Sequence, residues 1–90
     1  MEKPLIHLNG TSGQHLFDGY AEAGSALRAA LRALEEAAPN ARDYYPLGEA
    51  SYAAARREHE ARVREINRVM AEVYELAEHV TEAMESRTRR

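Results

Sequence analysis

The chain has no cysteine and no tryptophan, one phenylalanine and three prolines among its 90 residues. Without thiols there is no disulfide staple and no thiolate metal site, a pattern that fits a reducing compartment. With a single Phe, the hydrophobic fraction of 44% rests largely on alanine, so any core is built from thin side chains. No apolar run approaches the roughly 18 residues of a membrane span. Met1-Glu2-Lys3-Pro4-Leu5 lacks the apolar segment of a signal peptide. The expectation is a soluble, cytoplasmic protein. Positive charge is also in short supply: a net charge of -3 and a pI near 5.8 argue against general nucleic-acid binding.

Ninety residues make one domain, 1-90, and one so small that association with other copies would help to stabilise it. Residues 1-11 read as an N-terminal arm. Within it Pro4-Leu5-Ile6-His7-Leu8 is a short apolar run ended by Asn9-Gly10, which suits a short strand or an extended segment. Thr11 with Gln14 fits the reciprocal capping-box pattern at a helix start. A first helix is expected over 12-38, where Leu16, Tyr20, Ala23, Leu27, Leu31 and Leu34 line one face. Pro39 and Asn40 end it. A Tyr-rich loop follows over 39-48, and a second, longer helix over 49-86.

In an antiparallel hairpin that shares its loop end, the surplus length of the second helix would project past the first. That projecting end carries the most regular apolar pattern in the chain. Ile66, Val73 and Val80 fall seven apart, Val69, Leu76 and Ala83 form a second heptad row, and Met70, Ala77 and Met84 widen the stripe. An uncovered stripe of this kind leaves a large apolar patch, so another chain, the arm, or both should cover it. The expected architecture is all-α: an antiparallel two-helix hairpin with a long second helix and an extended N-terminal arm, assembled as a coiled-coil-like homo-oligomer. Its interface would use Ile66, Val69, Val73, Leu76 and Val80.

Stepping back by sevens along this seam gives His59, Tyr52 and Arg62, so it turns polar and aromatic toward the loop. The loop itself, Arg42-Asp43-Tyr44-Tyr45-Pro46, holds more chemistry than a turn needs. Tyrosine rings offer stacking surfaces and guanidinium groups offer forks for phosphate or carboxylate. Arg42, Tyr44, Tyr45, Arg56, His59 and Arg62 are therefore the candidate residues for a small anionic ligand. The structural alternative is a solvated charged face, because Glu58, Glu60 and Glu65 interleave with the arginines at pairing distance along a helix. Asn9, Thr11 and Ser12 form a further candidate contact, since hydroxyls and glycines at a helix start can present N-H groups to an anion. Capping and the reversal from arm to helix are an adequate explanation of them without a ligand.

Catalysis finds little support. His7, His15, His59 and His79 include no pair at three- or four-residue spacing, so no metal site is expected. Ser12, Ser25, Ser51 and Ser86 have no nucleophile context. Glu75 and His79, one turn apart, suggest a surface ion pair. Glu72, Glu75, Glu78, Glu82 and Glu85 read as a solvated face, with Arg87, Arg89 and Arg90 suited to the helix dipole. The expectation is a protein that is not an enzyme and needs no cofactor.

The segments Ile6-His7-Leu8-Asn9-Gly10-Thr11-Ser12 and Ala38-Pro39-Asn40-Ala41-Arg42-Asp43-Tyr44-Tyr45-Pro46, followed by Arg56, Arg57, Glu58 and His59, resemble a group of small uncharacterised phage and prophage proteins. The resemblance implies a phage setting, in the cytoplasm of an infected bacterium, and nothing catalytic. Small helical phage proteins that assemble and sequester cyclic-nucleotide immune signals are analogous in size and architecture, although this chain lacks their motifs. Two readings follow. The chain is either an oligomeric binding protein that takes up a small anionic, nucleotide-type ligand and counters host defence, or a helical protein-protein interaction or assembly accessory protein that contacts a host or phage protein through the Tyr-rich loop.

Overall fold

The computed structural model describes residues 1-88, and the described residues are all-helical apart from the arm and short connections. The first long helix, α1, spans Gly13–Glu36; α2 is a single turn, Ala41–Tyr44; a 3-10 turn covers Tyr45–Leu47; α3 spans Glu49–Thr88. No strand occurs among the described residues, and the N-terminal segment is an extended arm. Arg89 and Arg90 lie outside the described residues.

Helix α1 starts one residue later than the capping-box pattern predicts. Ser12, in extended geometry, is the cap, and its hydroxyl accepts the His15 N-H at 3.1 Å. Thr11 does not cap, and the Gln14 amide donates to Asp18 at 2.8 Å instead of reaching back. The helix ends at Glu36, two residues short of the expected Ala38. Its last turn tightens to three-residue spacing as Ala37 and Ala38 donate to Leu34 and Glu35, before Pro39 stops it.

The expected loop is largely helical. Asn40 caps α2, its side-chain oxygen accepting the Arg42 N-H at 2.9 Å, and Pro46 sits inside the 3-10 turn, where its missing N-H costs nothing. Gly48 then adopts φ 96°, ψ 164°, a conformation open only to glycine, and releases the chain into α3.

This helical connection changes where the length mismatch falls. At 1.5 Å per residue α3 is about 60 Å long and α1 about 36 Å. A Cβ on Gly13 would meet Met84 and one on Gly24 would meet Tyr74, while Leu34 shares a groove with His59 and Arg62. The two helices therefore run antiparallel, with the first ten or so residues of α3 extending past the end of α1. Residues 39-48 climb along that extension. The surplus length is at the connecting end, not at the C-terminal end as the sequence suggested, because the connection spends its residues rising along α3 rather than turning at once.

The C-terminal half of α3 is accordingly covered by α1 and by the arm. The His79 ring lies 2.8 Å from the Pro4 carbonyl oxygen, Arg87 donates to the Ile6 carbonyl at 3.0 Å, and Lys3 pairs with Glu75 at 3.5 Å. His79 thus faces the arm instead of Glu75. Val80 is fully buried and Ala77 nearly so, but among the described residues they are the only buried hydrophobic side chains. Ile66, Val69, Val73 and Leu76 remain half-buried. The molecule is a rod of 66 × 20 × 20 Å with 6881 Å² of accessible surface.

Candidate functional site

The connecting segment is built around Tyr44, whose ring tilts against Tyr52 of α3 with centroids 6.1 Å apart and planes at 42°. The two rings belong to different elements, so this contact holds the connection onto the projecting end of α3. Arg56, one turn after Tyr52, sits 5.9 Å from the Tyr52 ring centroid and pairs with Glu60 at 3.7 Å. Tyr52 was not among the residues singled out for binding. Its Tyr-x-x-x-Arg spacing was the available signal.

The candidate residues separate into two concavities on the two sides of this aromatic contact. In the first, of about 430 Å³, Tyr44, His59 and Arg62 come together with Pro39, Asp43 and Glu58. His59 and Tyr44 are half-buried and Arg62 is exposed. In the second, of about 500 Å³, Arg42 and Tyr45 meet Tyr52, Gly48 and Glu49. Tyr45 is 83% exposed and Leu47, two residues on in the same 3-10 turn, 70%, so the turn presents apolar surface directly to solvent. Arg56 lines neither of the two and joins His59 and Tyr52 in a smaller groove of about 310 Å³.

The first concavity is lined by acidic as well as basic side chains. Asp43 and Glu58 line it together with His59 and Arg62, so the carboxylates oppose an anion that the guanidinium would attract, while Tyr44 and Pro39 offer apolar surface. Among the described residues the one group of charges with shifted acidity lies elsewhere. The Arg68 hydrogen bond and charge hold the Glu65 carboxyl below the usual carboxylate range, and Glu65 with Glu72 raises Arg68. These groups are fully solvated and stabilise the outer face of α3.

Asn9, Thr11 and Ser12 stand at the far end of α1, about 36 Å from the connecting segment at 1.5 Å per residue. They do not join the tyrosines within one chain. Ser12 is committed to capping, and the His7 ring packs where a side chain on Gly10 would stand, 2.7 Å from the Cβ position. Among the described residues no group of three or more His, Asp or Glu side chains could hold a metal, and no helix is long and apolar enough to cross a membrane. Comparison with protein-family models, with curated proteins and with solved structures found no match.

Proposed function

We propose that the chain is a non-enzymatic helical protein, assembled from a two-helix hairpin as a homo-oligomer, that takes up a small anionic, nucleotide-type ligand at the end built from the connecting segment. The observation that carries this reading is the convergence of Tyr44, His59 and Arg62, from two separate elements, on one concavity. Arg62 supplies a fork for phosphate, His59 a second donor, and Tyr44 with Pro39 a surface for a planar base. In the phage setting implied by the resemblance, removal of such a ligand would blunt a host defence signal.

The test is a calorimetric and thermal-shift screen of the assembled protein against cyclic di- and trinucleotides. Binding that is lost in Arg62→Ala, kept in Tyr44→Phe and weakened in Tyr44→Leu supports the reading; silence from every nucleotide in the screen sinks it.

A second reading is favoured by the exposure of Tyr45 and Leu47 on the other side of the same segment. Large apolar side chains held on a proline-stiffened turn suit the centre of a protein contact. Here Tyr45→Ala abolishes capture of a host or phage protein and leaves nucleotide titrations flat for wild type and variant alike.

A further inference from the structure

Six side chains of α1 are charged: Asp18, Glu22, Arg28, Arg32, Glu35 and Glu36. At about 100° per residue they crowd into roughly 140° of the helix circumference, which leaves about 220° free of formal charge. Packing against one neighbouring helix accounts for a stripe of about 100°. The uncharged arc is therefore about twice as wide as contact with α3 requires.

The unused part of the arc has a pattern of its own. Gly19, Ala23, Ala26, Ala30 and Ala33 follow at spacings of four, three, four and three, a heptad row offset from Gly13 and Gly24, whose positions meet Met84 and Tyr74 of α3. All except Ala23 are exposed, and Leu16 and Leu27, between this row and the side that meets α3, remain partly exposed. The arm does not close this side at Ala30, since its contacts to α3 run from Glu75 to Arg87, beside the start of α1.

We infer that this face of α1 docks against the same face of a second copy, and that the two helix pairs form a four-helix bundle. The inference rests on the proposed self-association and names its surface. Three observations select a copy of this chain as the occupant. A globular chain of 10.1 kDa exposes about 5,300 Å², so the 6881 Å² here leaves about 1,600 Å² in excess, twice the roughly 800 Å² that each partner buries in a standard interface. The face carries no charge, so a two-fold contact sets no like charges together although each chain bears -3. Its residues are small, which lets two helix axes approach to about 8 Å and brings the half-covered leucines of both copies into contact. The arrangement differs from the α3 seam read in the sequence, where Val80 is already consumed within one chain.

Light scattering of the full chain with size exclusion tests this, comparing wild type, Ala30→Glu and Ala21→Glu. Ala21 is equally exposed but lies in the charged arc. The expected result is an oligomer of even copy number for wild type and Ala21→Glu, and at least a tenfold weaker association for Ala30→Glu with unchanged helical circular dichroism. The chain has no cysteine, so Ala30→Cys gives a second readout: mild oxidation should link it into covalent dimers on a denaturing gel, and Ala21→Cys should stay unlinked. An oligomer that survives Ala30→Glu and leaves Ala30→Cys unlinked overturns the choice of face while the self-association reading stands. A wild-type monomer at high micromolar concentration overturns both.

Discussion

Tyr74 places its ring where Gly24 has no side chain: a Cβ built on Gly24 would stand 2.6 Å from Tyr74 Cε1. The ring is not free to swing aside. Its hydroxyl accepts a hydrogen bond from Arg28 at 2.5 Å, and the Arg28 guanidinium lies 5.7 Å from the ring centroid. Gly24, Arg28 and Tyr74 thus fix the register of α1 on α3.

Gly24→Ala should destabilise the fold although alanine is the better helix former. The propensity gain is about 0.5–1 kcal/mol, whereas overpacking costs about 1–3 kcal/mol and the strained hydrogen bond about 1 kcal/mol. Gly19 has nothing within 4 Å of its Cβ position, so Gly19→Ala should stabilise by about 0.5–1 kcal/mol. Urea midpoints, measured in the Ala30→Glu background to keep association out of the comparison, should move in opposite directions.

Gly48 tests the connection by backbone alone. No atom crowds its Cβ position, yet φ 96° with ψ 164° is closed to residues with side chains. Gly48→Ala should cost about 1–3 kcal/mol, and Gly48→Asn should not rescue it, because asparagine tolerates the compact left-handed region and not this one. Equal urea midpoints for wild type and Gly48→Ala would refute the argument.

The two adjacent tyrosines should separate stability from binding. Tyr44→Ala removes a half-buried ring from the Tyr52 contact and should cost about 1–2 kcal/mol. Tyr45→Ala removes an 83% exposed ring and should leave stability within about 0.5 kcal/mol. Thermal melts of the two variants side by side provide the check.

The arm is held by its backbone carbonyls, at Pro4 by His79 and at Ile6 by Arg87. A His79→Ala/Arg87→Ala double variant should release residues 3-8, with backbone order parameters falling below about 0.6 while the middle of α3 keeps its values. Heteronuclear relaxation reads this residue by residue.

Acid should weaken the outer face of α3. Arg68 lowers the Glu65 pKa in the folded state, so the pair's contribution is complete above the unfolded carboxylate pKa and disappears as pH falls through the folded value. Both groups are solvated, so the slope should be shallow and shrink with salt. Glu65→Gln should flatten it in urea midpoints taken across the acid range, and an unchanged slope in Glu65→Gln would point to other carboxylates.

Much of the architecture was legible because helices announce themselves by period and punctuation. The leucines of α1, Pro39, and the heptads from Ile66 to Val80 gave helix identity and bounds to within two residues. The capping residue was read one position early because Thr11 and Ser12 are chemically equivalent caps, and only the backbone geometry distinguishes them. The connection was read as irregular because Pro39, Asn40 and Gly48 are turn residues. It is helical because Asn40 caps it and Tyr44 finds Tyr52 across the gap, a contact 8 residues away that periodicity does not contain.

The candidate site shows the same division. That Arg42, Tyr44, Tyr45, His59 and Arg62 stand near one end followed from their places in the chain. That they divide between two concavities, with Asp43 and Glu58 lining the same one as His59 and Arg62, depends on which way the connection climbs α3. By itself, then, the sequence determined that the chain is helical, where its helices break, and which stripes are apolar, since each is a matter of neighbours within a few residues. The tertiary structure alone decided which end of α3 stands free, which apolar stripe the arm and α1 consume, and which face of α1 is left over. Those depend on the register of two helices, and the register is set by contacts such as Gly24 against Tyr74, fifty residues apart in the chain.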